Sequence, residues 1–294
     1  MVVPLKRETS LVTRTKSRPG APRIDGHEVG RVLITGASAG IGAELAREFA
    51  RHGHRLTLVA RRRDKLQQLA AELEGEHGVD VKLVAQDLAK PTGPAAVVKA
   101  VQAEGEPVGI LVNNAGVIDV GPFVASATDK IAGLVNLNVR ALTELTGLLL
   151  PSMVERGFGR VLNVASLAAF QPVPSMAAYA ASKAYVLSFS EALSEELRGS
   201  GVKVCAVCPG MTDTDMVTEI KAGSPAAAKL PKQLVSDPGD VAAQAYRALM
   251  SGQVVLVPGL PNQITAAWAQ VTPRWLTRYV TGFAARRTDW LKAD

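Results

Sequence analysis

Between residues 31 and 259 the chain repeats one pattern: a short apolar, β-rich run followed by an amphipathic stretch. The runs read "RVLITGA" (31–37), "HRLTLVA" (54–60), "DVKLVAQ" (80–86), "GILVNNA" (109–115), "GRVLNVA" (159–165), "VKVCAVC" (202–208) and "VVLVP" (254–258). Most are continuous rather than alternating, the signature of strands covered on both faces. Between them lie helical patterns such as "AELAREFARHG" and "SFSEALSEELRGSG", the latter ending in a glycine suited to a helix C-terminus. Strands joined by helical crossovers pair in parallel. The pattern therefore predicts an α/β fold: one doubly wound parallel sheet of seven strands with helices on both faces. No internal repeat and no interior linker divides it.

The two ends fall outside this scheme. Residues 1–30 are polar and basic and contain Pro4, Pro19 and Pro22, so little regular structure is expected there. They carry six Lys/Arg against three Asp/Glu, and residues 274–294 carry five against two. Those ends account for the whole net charge of +6. A nucleic-acid surface is normally a basic stripe on the folded body, so a neutral body argues against that class of partner. Charged ends fit tails or contact with an anionic surface instead. Lys6 and Arg7 cut short any apolar run after Met1, so no secretory signal is read. The two cysteines, Cys205 and Cys208, are three apart in a strand and so point to opposite faces. They read as buried thiols of a reducing, cytoplasmic compartment, not as a redox pair or metal site.

The first strand runs into "TGASAGIG". Gly36, Gly40 and Gly42 let the backbone approach a phosphate closely, Ile41 follows in the same turn, and Ser38 adds a hydroxyl. The next helix's N-terminus offers free N–H groups and a positive dipole end. A nucleotide site is the natural reading. After the second strand, "VARRR" places Arg61, Arg62 and Arg63 where an NAD site commonly carries an acid. Guanidinium groups there favour a 2′-phosphate, and Arg61 is the chosen ligand. The cofactor is thus NADP(H) in preference to NAD(H). A site preferring NAD(H) is the alternative.

In "YAASKA" a tyrosine and a lysine stand four residues apart, so on a helix Tyr179 and Lys183 share a face. A cation there would favour the phenolate and lower the tyrosine pKa. Taken with Gly36/Gly40/Gly42, "NNAG" at 113–116, Ser166 and "PG" at 209–210, in that order, the chain resembles the short-chain dehydrogenase/reductase family over roughly residues 31–259. The resemblance implies a single Rossmann-type domain for dinucleotide binding and catalysis, and hydride transfer between a nicotinamide and a carbonyl or alcohol. It implies that Asp87 and Leu88 meet the adenine and Asn114 the adenosine ribose. Pro209, Gly210, Thr212 and Thr214 would hold the nicotinamide end. Tyr179 is the proton donor that an alkoxide product needs, Ser166 polarises the carbonyl, and Lys183 tunes the tyrosine and holds the nicotinamide ribose. The family's fourth catalytic residue is an asparagine 28 residues before the serine, and Asn138 satisfies that count while Asn136 lies 30 before it. Asn138 is therefore assigned to hold a water linking Lys183 to solvent. Relatives usually form homodimers or homotetramers. The alternative class, a cofactor-bound regulatory protein without turnover, commonly loses one of these residues, and all four are present here.

From Leu260 onward lies a tail with all three tryptophans, Trp268, Trp275 and Trp290. Ile264, Trp268, Val271, Trp275, Leu276, Tyr279, Val280 and Phe283 trace helical stripes that Pro273 divides in two. The first reading is a helical cover over the domain, the substrate cleft or a subunit contact. The second is a pair of interfacial helices at the inner face of a membrane. Together with the apolar "LAAFQPVPSMA" loop, the tail points to a hydrophobic small-molecule substrate, acyl, steroid-like or otherwise lipid-like.

Overall fold

The computed structural model describes residues 22–103, 105–222 and 235–287. All seven anticipated strands form one parallel sheet: β3 (Arg31–Thr35), β4 (Arg55–Ala60), β5 (Val81–Ala85), β6 (Val108–Asn113), β7 (Gly159–Val164), β8 (Val202–Val207) and β9 (Val255–Leu256). Two shorter strands precede them, β1 (Arg23–Ile24) and β2 (His27–Glu28). The sheet order is β5-β4-β3-β6-β7-β8-β9, so the order in which strands are added reverses between β3 and β6. That switch point opens a crevice beyond the strands' carboxyl ends, where ligands bind in open α/β sheets.

Helices α1 (Gly40–Arg51), α2 (Arg63–His77), α3 (Gly93–Gln102), α4 (Thr128–Val135), α5 (Leu142–Glu155), α6 (Ala177–Glu196), α7 (Asp215–Ala222) and α8 (Pro238–Ser251) accompany the sheet. A π-helical turn, Asn136–Ala141, joins α4 to α5. Successive strand residues face opposite sides, so the apolar runs feed two cores. Ile34, Leu58 and Val112 pack with Leu45 and Phe49 of α1, Leu66 of α2 and Leu249 of α8. Leu33, Leu111 and Val161 pack with Val97 of α3, Leu145 of α5 and Leu193 of α6. Cys205 joins the first core and Cys208 a satellite of the second, both as free thiols. Burial pushes each of their pKa values up to about 12.

The strands β1 and β2 form an antiparallel hairpin inside a segment for which little regular structure was expected. Its turn is Asp25-Gly26, with φ 51° and 81°. Positive φ at both positions suits the tight two-residue turn that Asp-Gly favours. Strands of two residues are too short to register as a pattern. Tertiary bonds hold the hairpin over the amino ends of the sheet. Arg160, buried, donates to Asp25 at 2.5 Å, Arg55 pairs with Glu28 at 3.0 Å, and His27 stacks on Phe158. Residues 1–21 lie outside the described residues.

Beyond β9, α9 (Leu260–Val271) and α10 (Arg274–Arg287) are the two tail helices, with Pro273 between them. Trp290 lies outside the described residues.

Candidate active site

At the end of β3 the chain turns through Gly36 and Gly40, whose φ values are 68° and 55°. That left-handed region favours glycine. Gly42 is held by space instead. A Cβ there would lie 2.3 Å from Asn114 Nδ2 and 2.4 Å from the Gly36 carbonyl oxygen. Asn114, at the end of β6, braces the turn by donating through Nδ2 to Thr35 O at 2.9 Å and Gly36 O at 3.2 Å. One of the cofactor ligands implied by the resemblance is therefore also a structural strut. Thr214 packs its methyl against Gly40, so the segment after β8 closes over the glycine turn.

A cleft of about 610 Å³ runs from this turn to α6. It is lined by Gly36, Ser38, Gly40, Ile41, Arg61, Asp87, Leu88, Asn114, Ser166, Tyr179, Lys183, Pro209, Gly210, Thr212 and Thr214. Gly42 lies behind the turn, and Asn138 stands one layer back, bonded to the lining. Arg62 also lines the cleft and reaches Ser38 Oγ at 3.2 Å, a contact that spacing could not reveal. The acid-free end of β4 thus presents two guanidinium groups to the cleft, Arg61 and Arg62. Asp87 Oδ1 accepts from the Ala89 amide at 3.0 Å, which fixes the loop after β5.

Helix α6 carries Tyr179 and Lys183 on one buried face, as their spacing requires. Lys183 Nζ donates to Val164 O at 2.8 Å and lies 5.8 Å from the centre of the Tyr179 ring. Burial lowers the Lys183 pKa to about 8, with the Cys208 side chain opposing. Burial also raises the Tyr179 pKa, against a hydrogen bond from Ser166 that lowers it. The expectation that Lys183 would leave the tyrosine below its ordinary value is therefore reversed: desolvation of the phenolate outweighs the Ser166 hydrogen bond. Ser166 follows β7 in extended backbone, and its Oγ accepts from the Ala168 amide, capping the short turn Leu167–Phe170. Tyr179 Oη lies 3.9 Å from Met216 Sδ of α7, so a methionine roofs the phenol.

Asn138 is 2% exposed within the π-helical turn. Its Oδ1 accepts from Val117 N at 2.9 Å, and its Nδ2 donates to Val117 O at 2.9 Å and Ser182 Oγ at 3.1 Å. The extra residue of a π turn re-aims side chains relative to a regular helix, a device common at functional sites. Gly116 lies between this carboxamide and the lysine: a Cβ there would be 3.3 Å from Asn138 Oδ1 and 3.5 Å from Lys183 Nζ. Asn136 points elsewhere and accepts from Arg140 Nε at 3.1 Å. Ser182, which sequence reasoning passed over, links Asn138 to the Tyr179 carbonyl, to which it donates at 2.7 Å.

The dinucleotide reading can be tested on this geometry. Glycines stand where side chains would collide, two cations line the end of β4, and the cleft continues from there to the buried Tyr179–Lys183 pair. The residues fit such a group.

Comparison with known proteins agrees. Residues 30–225 match the family model described as short chain dehydrogenase. Ketoacyl reductase HetN of a Nostoc species is 35% identical over 219 residues, 74% of either chain. The very-long-chain 3-oxoacyl-CoA reductase of Anas platyrhynchos is 35% identical over 192 residues, 63% of this chain and 60% of that one. The chain thus spans about three fifths of the duck enzyme's length. Among solved structures, a short-chain dehydrogenase from Sphingobium yanoikuyae in complex with NADPH is 37% identical, covers 87% of this chain and 94% of its own, and superposes with a TM-score of 0.73. The bulky-bulky ketone specific alcohol dehydrogenase from Comamonas testosteroni is 32% identical, covering 88% and 95%, with a TM-score of 0.70. This chain belongs to the short-chain dehydrogenase family and is an oxidoreductase acting between an alcohol and a carbonyl.

Proposed function

We propose that the protein is an NADPH-dependent reductase of a hydrophobic ketone, running in reverse as an alcohol dehydrogenase, and that residues 31–259 are its dinucleotide-binding and catalytic domain. The observation that carries this reading is the single cleft shared by the glycine turn, two arginines, Ser166, Tyr179 and Lys183. Gly36, Ser38, Gly40, Ile41 and Gly42 would hold the pyrophosphate. Arg61 and Arg62 would take the 2′-phosphate, Asp87 and Leu88 the adenine, and Asn114 and Lys183 the two riboses. Pro209, Gly210, Thr212 and Thr214 would hold the nicotinamide end. When bound, the nicotinamide supplies or accepts the hydride.

The chain's own groups handle the proton and the developing charge. Tyr179 donates its phenolic proton to the substrate oxygen, and the Ser166 hydroxyl donates a hydrogen bond to the same oxygen. Burial keeps the phenol protonated until that moment, which suits a general acid. Lys183, with a pKa near 8, is poised to restore the proton at neutral to mildly basic pH. Asn138 holds the Gly116–Val117 segment and offers Oδ1 toward a water beside Lys183 Nζ, giving the lysine a route to solvent.

An apolar substrate is supported by Val117, Ile118, Leu167, Val173, Met176 and Met216 around the tyrosine. The names of the relatives, which act on oxoacyl groups and bulky ketones, point the same way. Two free buried thiols agree with a reducing, cytoplasmic compartment, and the family resemblance is what supports a homodimer or homotetramer. The test is a panel of keto-acyl, steroid and small ketone compounds, with NADPH oxidation followed by absorbance. Turnover should be faster with NADPH than with NADH and vanish in Tyr179→Phe. No turnover across the panel, together with a Tyr179→Phe protein indistinguishable from the parent, would overturn the proposal.

A further inference from the structure

The tail helices are built inside out. An amphipathic helix on a domain normally turns its large apolar residues inward. Here α9 buries Ala266 and Ala269, while Leu260, Ile264, Trp268 and Val271 form an outward stripe. In α10, Thr277 is 2% exposed, yet Trp275 is 65% and Tyr279 63% exposed. In α9 small residues make the contact with the body, and in both helices large apolar residues are exposed. Such a continuous surface on a folded domain marks an interaction site.

Its charge says what the partner is. Residues 260–287 contain four arginines and not one Asp or Glu. Arg274, Arg278 and Arg286 are exposed, and among the described residues none of them has an ion-pair partner. A second copy of this chain would meet the patch with the same patch in a two-fold contact. That would set arginine against arginine with no carboxylate to answer it. An apolar stripe with indole and phenol rings, edged by guanidinium groups, instead matches the boundary between acyl chains and anionic headgroups. Among the described residues no helix is long and apolar enough to cross a membrane, so α10 would lie in the interface plane.

We propose that the outer face of α9 and α10 docks on an anionic lipid bilayer. The position of α9 gives this a consequence for the site. It packs on the Leu167–Phe170 turn that begins after Ser166, and Asn262 sits against Gly210. The docked face is therefore next to the rim of the catalytic cleft.

The test is co-flotation of the full chain with vesicles of phosphatidylcholine alone or rich in phosphatidylglycerol. Three arginines near an anionic surface should favour the charged vesicles on the order of 100-fold. Trp275→Ser with Tyr279→Ser, both at exposed positions, should abolish flotation and leave the thermal melt and the solution mass unchanged. No flotation with either vesicle, or equal flotation of parent and variant, would overturn the proposal. So would a variant of smaller solution mass, since the face would then be a subunit contact. Flotation needs neither cofactor nor substrate, so its failure would leave the reductase reading untouched, and the reverse also holds.

Discussion

Replacing Asn138 by alanine separates the roles of the two asparagines that stand two positions apart in sequence. The substitution removes three hydrogen bonds of 2.9, 2.9 and 3.1 Å from a buried residue. It leaves the Val117 N–H and C=O without partners, at roughly 1–3 kcal/mol each. A water drawn into the vacated polar space recovers part of this, giving a net loss of about 3 kcal/mol. For a chain of this size the melting temperature should fall on the order of 10 °C. Asn136→Ala removes one partly buried bond, and Arg140 keeps the Ala89 carbonyl at 2.8 Å. Its loss should stay near 1 kcal/mol or below, about 2–4 °C. The same carboxamide faces Lys183 across Gly116, so kcat of Asn138→Ala should fall on the order of 100-fold, with KM for NADPH nearly unchanged. Thermal melts and steady-state kinetics on both variants, at a temperature where each is folded, decide the matter. An Asn136→Ala enzyme slower than Asn138→Ala would refute the assignment, and a melt unmoved by Asn138→Ala would refute the hydrogen-bond accounting.

Three further outcomes are expected. Arg62→Ala and Arg61→Ala should each raise KM for NADPH roughly tenfold or more while sparing NADH, because a charge-assisted bond to phosphate is lost; an unchanged cofactor ratio in both variants would count against the cationic reading. Gly42→Ala forces a methyl against Asn114 and the Gly36 carbonyl, so overpacking of about 1–3 kcal/mol should accompany loss of NADPH affinity in a fluorescence titration. Lys183 has a folded pKa of about 8, below its ordinary 10.5, so between those values the unfolded chain binds more protons and stability gains as pH rises. Cys205 and Cys208 run the opposite way above pH 9, since their folded pKa values are raised to about 12. The difference in urea midpoint between Lys183→Met and the parent cancels the thiols, and should move in the parent's favour as pH rises from 8 to 10. A flat difference would refute the depressed lysine pKa.

The sheet and the cleft lining were legible because each rests on a short period. Continuous apolar runs of five or six residues give β3, β4, β6, β7 and β8, and a four-residue spacing puts Tyr179 and Lys183 on one face. What escaped depends on contacts remote in sequence. Arg62 finds Ser38 only once β3 and β4 lie side by side. The buried Arg31, bonded to Thr57 and the Leu56 carbonyl, reads in sequence as the charged start of a strand. The net direction of the Tyr179 pKa depends on burial, which spacing does not supply. The tail pattern announced helices but not their orientation, because a stripe of large apolar residues looks the same facing inward or outward. The hairpin was readable from Asp25-Gly26, but strands of two residues fall below any periodic window.

That hairpin bears on how the polypeptide is made. Its anchor, Arg160, lies 135 residues downstream of Asp25, and its aromatic partner Phe158 is close by. On a ribosome the hairpin emerges long before β7 exists, so of its contacts with Arg160, Phe158 and Arg55 only the Arg55–Glu28 pair can form until half the protein has been synthesised. Its closure over the sheet's lower edge is a late event of biogenesis, and a bulky fusion just ahead of residue 22 should slow maturation more than it harms the finished enzyme.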